Sequence, residues 1–145
     1  MNFEFSADQM QLKDIARKFL EKEDAVKRAR NVLEGEESFD ENLWQQIIEM
    51  GFTATAIPEE YGGLGLGYLE LCVIAEELGR SLAPTPFSSS VYLATEAILN
   101  SEDDSLKQNY LPSLANGEKI GSFAHSESCL LYTSPSPRDG RLSRM

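Results

Sequence analysis

Basic side chains are scarce in this sequence: 13 Lys and Arg stand against 24 Asp and Glu, a formal net charge of -11 over 145 residues. Binding to nucleic acid needs a basic footprint that displaces counterions from phosphates, so that class of partner is excluded. Cysteine is nearly absent; Cys72 and Cys129 alone make neither a disulfide framework nor a four-ligand zinc site. His125 is the only histidine, and a lone His without a partner nearby is more often structural or surface than catalytic. No apolar run approaches the ~20 residues of a membrane-spanning helix. Met1-Asn2-Phe3-Glu4-Phe5 lacks both the charge pattern of a signal peptide and the Arg/Ser-rich look of a transit peptide. A cytoplasmic, reducing setting is the expectation.

What is present is helical periodicity interrupted by one unusual connector. Ile57-Pro58-Glu59-Glu60-Tyr61-Gly62-Gly63-Leu64-Gly65-Leu66-Gly67 holds four of the ten glycines. Pro58 stops any helix running through it, and the glycines license positive φ or close backbone approach. Tyr61, Leu64 and Leu66 are too apolar for a flexible spacer, so the segment reads as a shaped helix–helix connector. It is not a dinucleotide fingerprint, because Gly63-Leu64-Gly65-Leu66-Gly67 has the wrong spacing and Pro58 spoils the strand that should precede it. No Gly-Lys-Ser/Thr follows to make a P-loop.

The fold class is all-α, an up-down bundle of about five helices. Ser6 and Gln9 form a capping box ahead of Leu12, Ile15, Ala16, Phe19 and Leu20, and this first helix is expected to run on through Glu21–Arg30 until Gly35. Asp40 caps a second helix with Leu43, Trp44, Ile47 and Ile48 on one stripe and Gly51 as its stop. The third, Tyr68 to Leu82, carries Leu71, Ile74, Leu78 and also Leu69, Cys72 and Val73; it is expected to be covered all round, with Cys72 in the core and Glu76-Glu77 on its one wet side. Phe87, Val91, Ala94 and Ile98 mark a fourth helix, and a short fifth runs through Leu106 and Tyr110 to close near Pro112. Residues 1–117 are thus one helical domain.

Ile120 to Glu127 alternates loosely, closer to a strand than a helix. A lone strand has no partner for its backbone groups, so residues 118–129 are expected to begin a second, β domain that the chain does not contain. Residues 130–145 carry Pro135, Pro137 and three Arg without periodicity, a composition that cannot order itself. Leu130 to Asp139 also resembles the translation of sequencing-adapter read-through and is set aside. The residues alone supply no nucleophile, base and orienter together.

The order of the pieces resembles the N-terminal helical domain of the acyl-CoA dehydrogenases. The resemblance runs from Leu43-Trp44-Gln45-Gln46 through Met50-Gly51-Phe52, Pro58-Glu59-Glu60-Tyr61-Gly62-Gly63, Ala75-Glu76-Glu77-Leu78-Gly79-Arg80 and Tyr110-Leu111-Pro112 to Gly117-Glu118. Gly121-Ser122-Phe123-Ala124-His125-Ser126-Glu127 resembles the first strand of that family's middle domain, with Ser128 where a Pro is usual, and is most similar to the smaller subunits of paired dehydrogenases such as the pimeloyl-CoA type. The resemblance implies a truncated flavoprotein that carries out α,β-dehydrogenation of an acyl-CoA thioester with FAD as hydride acceptor and electron-transfer flavoprotein as partner, in a homo- or hetero-oligomer. It implies Phe123, His125 and Ser126 as flavin contacts, and Phe87, Ser90, Val91 and Ala94 as the acyl-pocket wall. The family's glutamate base belongs to a C-terminal domain, so no catalytic residue is expected in this chain. The rival reading is a non-catalytic helical subunit or interaction module, whose central helix would show polar residues on its exposed side.

Overall fold

The computed structural model describes residues 5–124; the expectations for His125, Ser126, the rest of the strand and the tail lie outside the described residues. The described chain is all-helical, in the order α1 (Ala7–Lys22), α2 (Ala25–Glu34), α3 (Glu41–Glu49), α4 (Tyr68–Arg80), a π-helix (Ser88–Thr95), α5 (Glu96–Leu99) and α6 (Asp104–Ala115). Two short 3₁₀ turns, Phe52–Ala54 and Glu59–Tyr61, lie between α3 and α4. Among the described residues there is no strand, and 120–124 belong to no regular element. No helix among them is long and apolar enough to cross a membrane.

Local chemistry sets the helix starts. Ser6 Oγ accepts from Gln9 N–H at 3.1 Å while Gln9 Oε1 accepts from Ser6 N–H at 2.9 Å, closing the capping box of α1. Asp40 accepts from Leu43 N–H at 2.8 Å at the start of α3, and Gly51 ends that helix at φ 75°.

Three helix boundaries depart from expectation. The first helix breaks at Glu23-Asp24, where Asp24 takes a left-handed φ of 49° and turns the chain so that Ala25 enters the core. Asp is among the few residues that tolerate this conformation, and Arg28 braces the corner by donating to the Glu23 carbonyl at 2.9 Å. α4 closes at Arg80, before the prolines: Ala83 N–H donates to the Leu78 carbonyl at 3.0 Å and Leu82 N–H to that of Gly79 at 3.1 Å. This is the double bond pattern of a Schellman stop, with Leu82 at φ 51° where glycine is usual. α6 continues past Pro112 to Ala115, which costs the Gln108 carbonyl its i+4 donor.

The main core joins α1 (Ala16, Leu20), α3 (Leu43, Trp44, Ile47), α4 (Leu71, Ile74, Leu78) and Phe52, Phe87 and Val91. A second cluster joins Ala54 and Ile57 to Leu111, Leu114 and Ala115 of α6. The glycine segment builds the link between them. It folds back on 54–57 through Leu64 N–H to the Ala54 carbonyl, Gly65 N–H to that of Ile57 and Leu66 N–H to that of Thr55, each at 2.9 Å. Gly63 lies so close to the Ile57 carbonyl that a Cβ would collide with it, which is the close approach glycine permits. The connector thereby buries Ile57 completely, worth about 2 kcal/mol of apolar transfer.

Glu77 reverses the expectation of a wet Glu76-Glu77 pair. Its side chain is fully buried, gripped by Arg17 from α1 at 2.7 Å and by Arg80 at 3.0 Å. Those hydrogen bonds, Arg17's first, outweigh burial and hold its pKa below the ordinary glutamate value. Glu76 remains exposed and pairs with Lys13 at 2.8 Å.

Candidate functional site

Of the residues expected at the acyl pocket, Ser90, Val91 and Ala94 lie on one wide-turn helix and Phe87 immediately precedes it. A π-helix of eight residues is uncommon, and such turns recur at functional sites. Phe87, just before it, is buried and stacks edge-on against Trp44 (centroids 6.4 Å) and Tyr92 (5.2 Å). Val91 is buried in the same core. Ser90 and Ala94 are buried too, but they meet a different neighbour: Gly121 donates its N–H to Ser90 Oγ at 3.2 Å and packs on the Ala94 methyl. The structure therefore brings Ser90 and Ala94 beside the segment that leads to Phe123, while Phe87 and Val91 pack inward. Phe123, the one flavin candidate among the described residues, is 52% exposed.

The π-helix packs against α5 and α6 and shares the main core with α4. Tyr68, at the start of α4, donates its hydroxyl to Glu96 Oε2 at 3.0 Å, tying α4 to α5. Tyr92 reaches under α4, where burial first and the neighbouring Cys72 second push its hydroxyl pKa up to about 12, so it stays a neutral donor at neutral pH. Over the first turns of α4 the outer side is apolar: Tyr68 and Leu69 are 62% and 61% exposed, and Cys72 is exposed as well. Cys72 is thus not the core residue expected of it, and α4 is not covered all round. The further side is polar, with Glu76 and Arg80 in surface ion pairs. On the π-helix Leu93 is half exposed.

Among the described residues no conventional catalytic set comes together. A cleft of about 380 Å³ is lined by Phe39, Trp44, Gln45, Gly117 and Ile120 among others, and by none of the four expected pocket residues. The sequence reasoning missed the π-helix and the Gly121 contact, because wide turns have no periodic signature in so short a run and Ser90 lies 31 residues from its partner.

The geometry defines a helical domain with an apolar, partly open face along the first turns of α4. Residues 6–118 match the family described as acyl-CoA dehydrogenase, N-terminal domain, and the chain belongs to that family. It is similar to the mitochondrial isovaleryl-CoA dehydrogenase of Arabidopsis thaliana, 35% identical over 127 residues, covering 85% of this chain and 31% of the relative. Among solved structures it is similar to an acyl-CoA dehydrogenase from Bacillus anthracis complexed with FAD (27% identity, TM-score 0.75, covering 86% of this chain and 21% of that one). It is also similar to a glutaryl-coenzyme A dehydrogenase in its glutaryl-CoA complex (27% identity, TM-score 0.74, covering 92% and 36%). The chain therefore spans about a third or less of the length of these proteins.

Proposed function

We propose that this chain supplies the helical wall of a flavin-dependent acyl-CoA dehydrogenase and is not active alone. The observation that carries the proposal is the outer side of α4, where Tyr68, Leu69 and Cys72 present apolar surface that a free-standing module would make polar. The reaction is α,β-dehydrogenation of an acyl-CoA thioester, and FAD supplies the hydride-accepting chemistry when bound. Phe123 suits one edge of such a group, offering a half-exposed ring, and His125 and Ser126 follow it in sequence. Among the described residues no glycine-rich cradle for the diphosphate accompanies it, so Phe123 contributes one edge of the site, not the whole.

The work of this chain's own residues is binding and exclusion of water. Phe87 and Val91 back the π-helix from the core, while Ser90 and Ala94 set its distance from the segment at 121–123. Any acyl chain lying along this face meets apolar surface from α4 and Leu93. The family resemblance supports electron-transfer flavoprotein as redox partner and an oligomeric whole. The purified 145-residue chain should carry no stoichiometric visible flavin band and leave acyl-CoA unoxidised. A chain that purifies yellow with one flavin per protein would contradict this reading.

A further inference from the structure

Gly121 touches the π-helix at two places. Its N–H donates to Ser90 Oγ at 3.2 Å. A Cβ on Gly121 would collide with the Ala94 methyl and touch Leu114 Cδ2 at 3.4 Å, and neither an alanine methyl nor the backbone behind it can swing away. Ser90 is 2% exposed, and its carbonyl is committed as well, accepting from Thr95 Oγ1 at 2.9 Å five residues on. That five-residue reach is the spacing of the wide turn. A buried hydroxyl facing an amide 31 residues away is a specific contact, since alanine would fill nearly the same space but leave the amide unpaired.

We infer that Ser90 is a positioning residue: with Ala94 it seats Gly121 and so fixes where the segment bearing Phe123 leaves the helical domain. The functional meaning of the seat rests on the reading of Phe123 as a flavin contact. It follows that the acyl wall and the flavin segment are coupled through one point. A larger side chain at position 94 would push Gly121, and with it Phe123, outward.

The test is amide hydrogen exchange and NMR on the full 145-residue chain. Ser90→Ala should speed exchange of the Gly121 amide about tenfold and shift the Phe123 ring resonances, while core amides such as those of Leu71 and Ile74 keep their protection. Gly121→Ala should shift Phe123 similarly, and adding Ala94→Gly to it should restore the native resonances. Unchanged Gly121 exchange in Ser90→Ala, acceleration spread evenly through the core, or a double variant without restoration would each overturn the inference. None of these readouts involves flavin, so the seat and the flavin reading fail independently.

Discussion

Arg17 of α1 closes a two-pronged ion pair on Glu77 of α4, Nη2 to Oε1 at 2.7 Å and Nε to Oε2 at 3.1 Å. Arg80 takes a second share of the Glu77 Oε2 atom and reaches on to Glu21 of α1 at 2.8 Å. The pair fixes the register of α1 along α4, and α4 in turn carries the outer face argued to meet the substrate.

Removing the charge of Glu77 should therefore loosen the whole domain. Both arginines keep one side in water, so the loss falls below the ~3–5 kcal/mol of a broken, fully buried pair. Glu77→Gln is expected to cost about 2 kcal/mol, read as a fall of roughly 8 °C in Tm by circular dichroism. A Tm within a degree of the parent's would show that the pair is an accessory.

The same residue sets an acid limit. Glu77 is held below the ordinary carboxylate range by Arg17 and Arg80. Asp40 is also lowered; burial alone would raise it, but the Leu43 N–H and Arg28 prevail. Carboxylates depressed in the folded state release protons on folding, so their stabilisation is complete above the unfolded pKa and is lost as pH falls from there through the lowered folded value. Tm should be flat from about pH 7 to about pH 5.5 and drop below about pH 4.5. Glu77→Gln should flatten that drop, and an unchanged acid slope in the variant would refute the assignment.

Leu82 should be better as glycine. It sits at φ 51° with 64% of its surface exposed, so its side chain gives little to the core and strains the helix stop. Relief of a left-handed leucine gains about 1–2 kcal/mol, of which the freer unfolded chain takes back about half. Leu82→Gly should raise Tm by roughly 3 °C in a thermal melt; a fall would mean that Leu82 is covered in solution.

Cys72 offers a chemical reading of the α4 face. In a Cys129→Ser background, Cys72 should react with an aromatic disulfide reagent in the native chain within about tenfold of its rate in denaturant. Protection beyond about a hundredfold would place Cys72 inside a core.

Short-range chemistry was legible in the sequence and long-range chemistry was not. The Ser6–Gln9 box, the Asp40 cap and the Gly51 stop are each written within four residues. The stripe Leu43, Trp44, Ile47 needs only a period of 3.6. Glu77 looked like a solvated neighbour of Glu76 because Arg17 lies 60 residues away. Cys72 looked like core because its helix is apolar on several sides, which also describes a face left open. Asp24 and Leu82 carry left-handed conformations that glycine usually announces, so the break between α1 and α2 and the true end of α4 had no signal. In the candidate site, the periodicity places Phe87, Ser90, Val91 and Ala94 on one helical segment, but their division into inward-packing Phe87 and Val91 and Gly121-facing Ser90 and Ala94 depends on contacts only the fold supplies.

The central claim is that this helical domain forms a wall of an acyl-CoA dehydrogenase site. It is tested most directly by replacing the matching domain of the Bacillus anthracis acyl-CoA dehydrogenase with residues 6–118 of this chain and following the visible flavin band as acyl-CoA is added. The account predicts a chimera that holds FAD and whose flavin band bleaches with acyl-CoA. A chimera with native helical content and bound FAD whose band no acyl-CoA bleaches would contradict it.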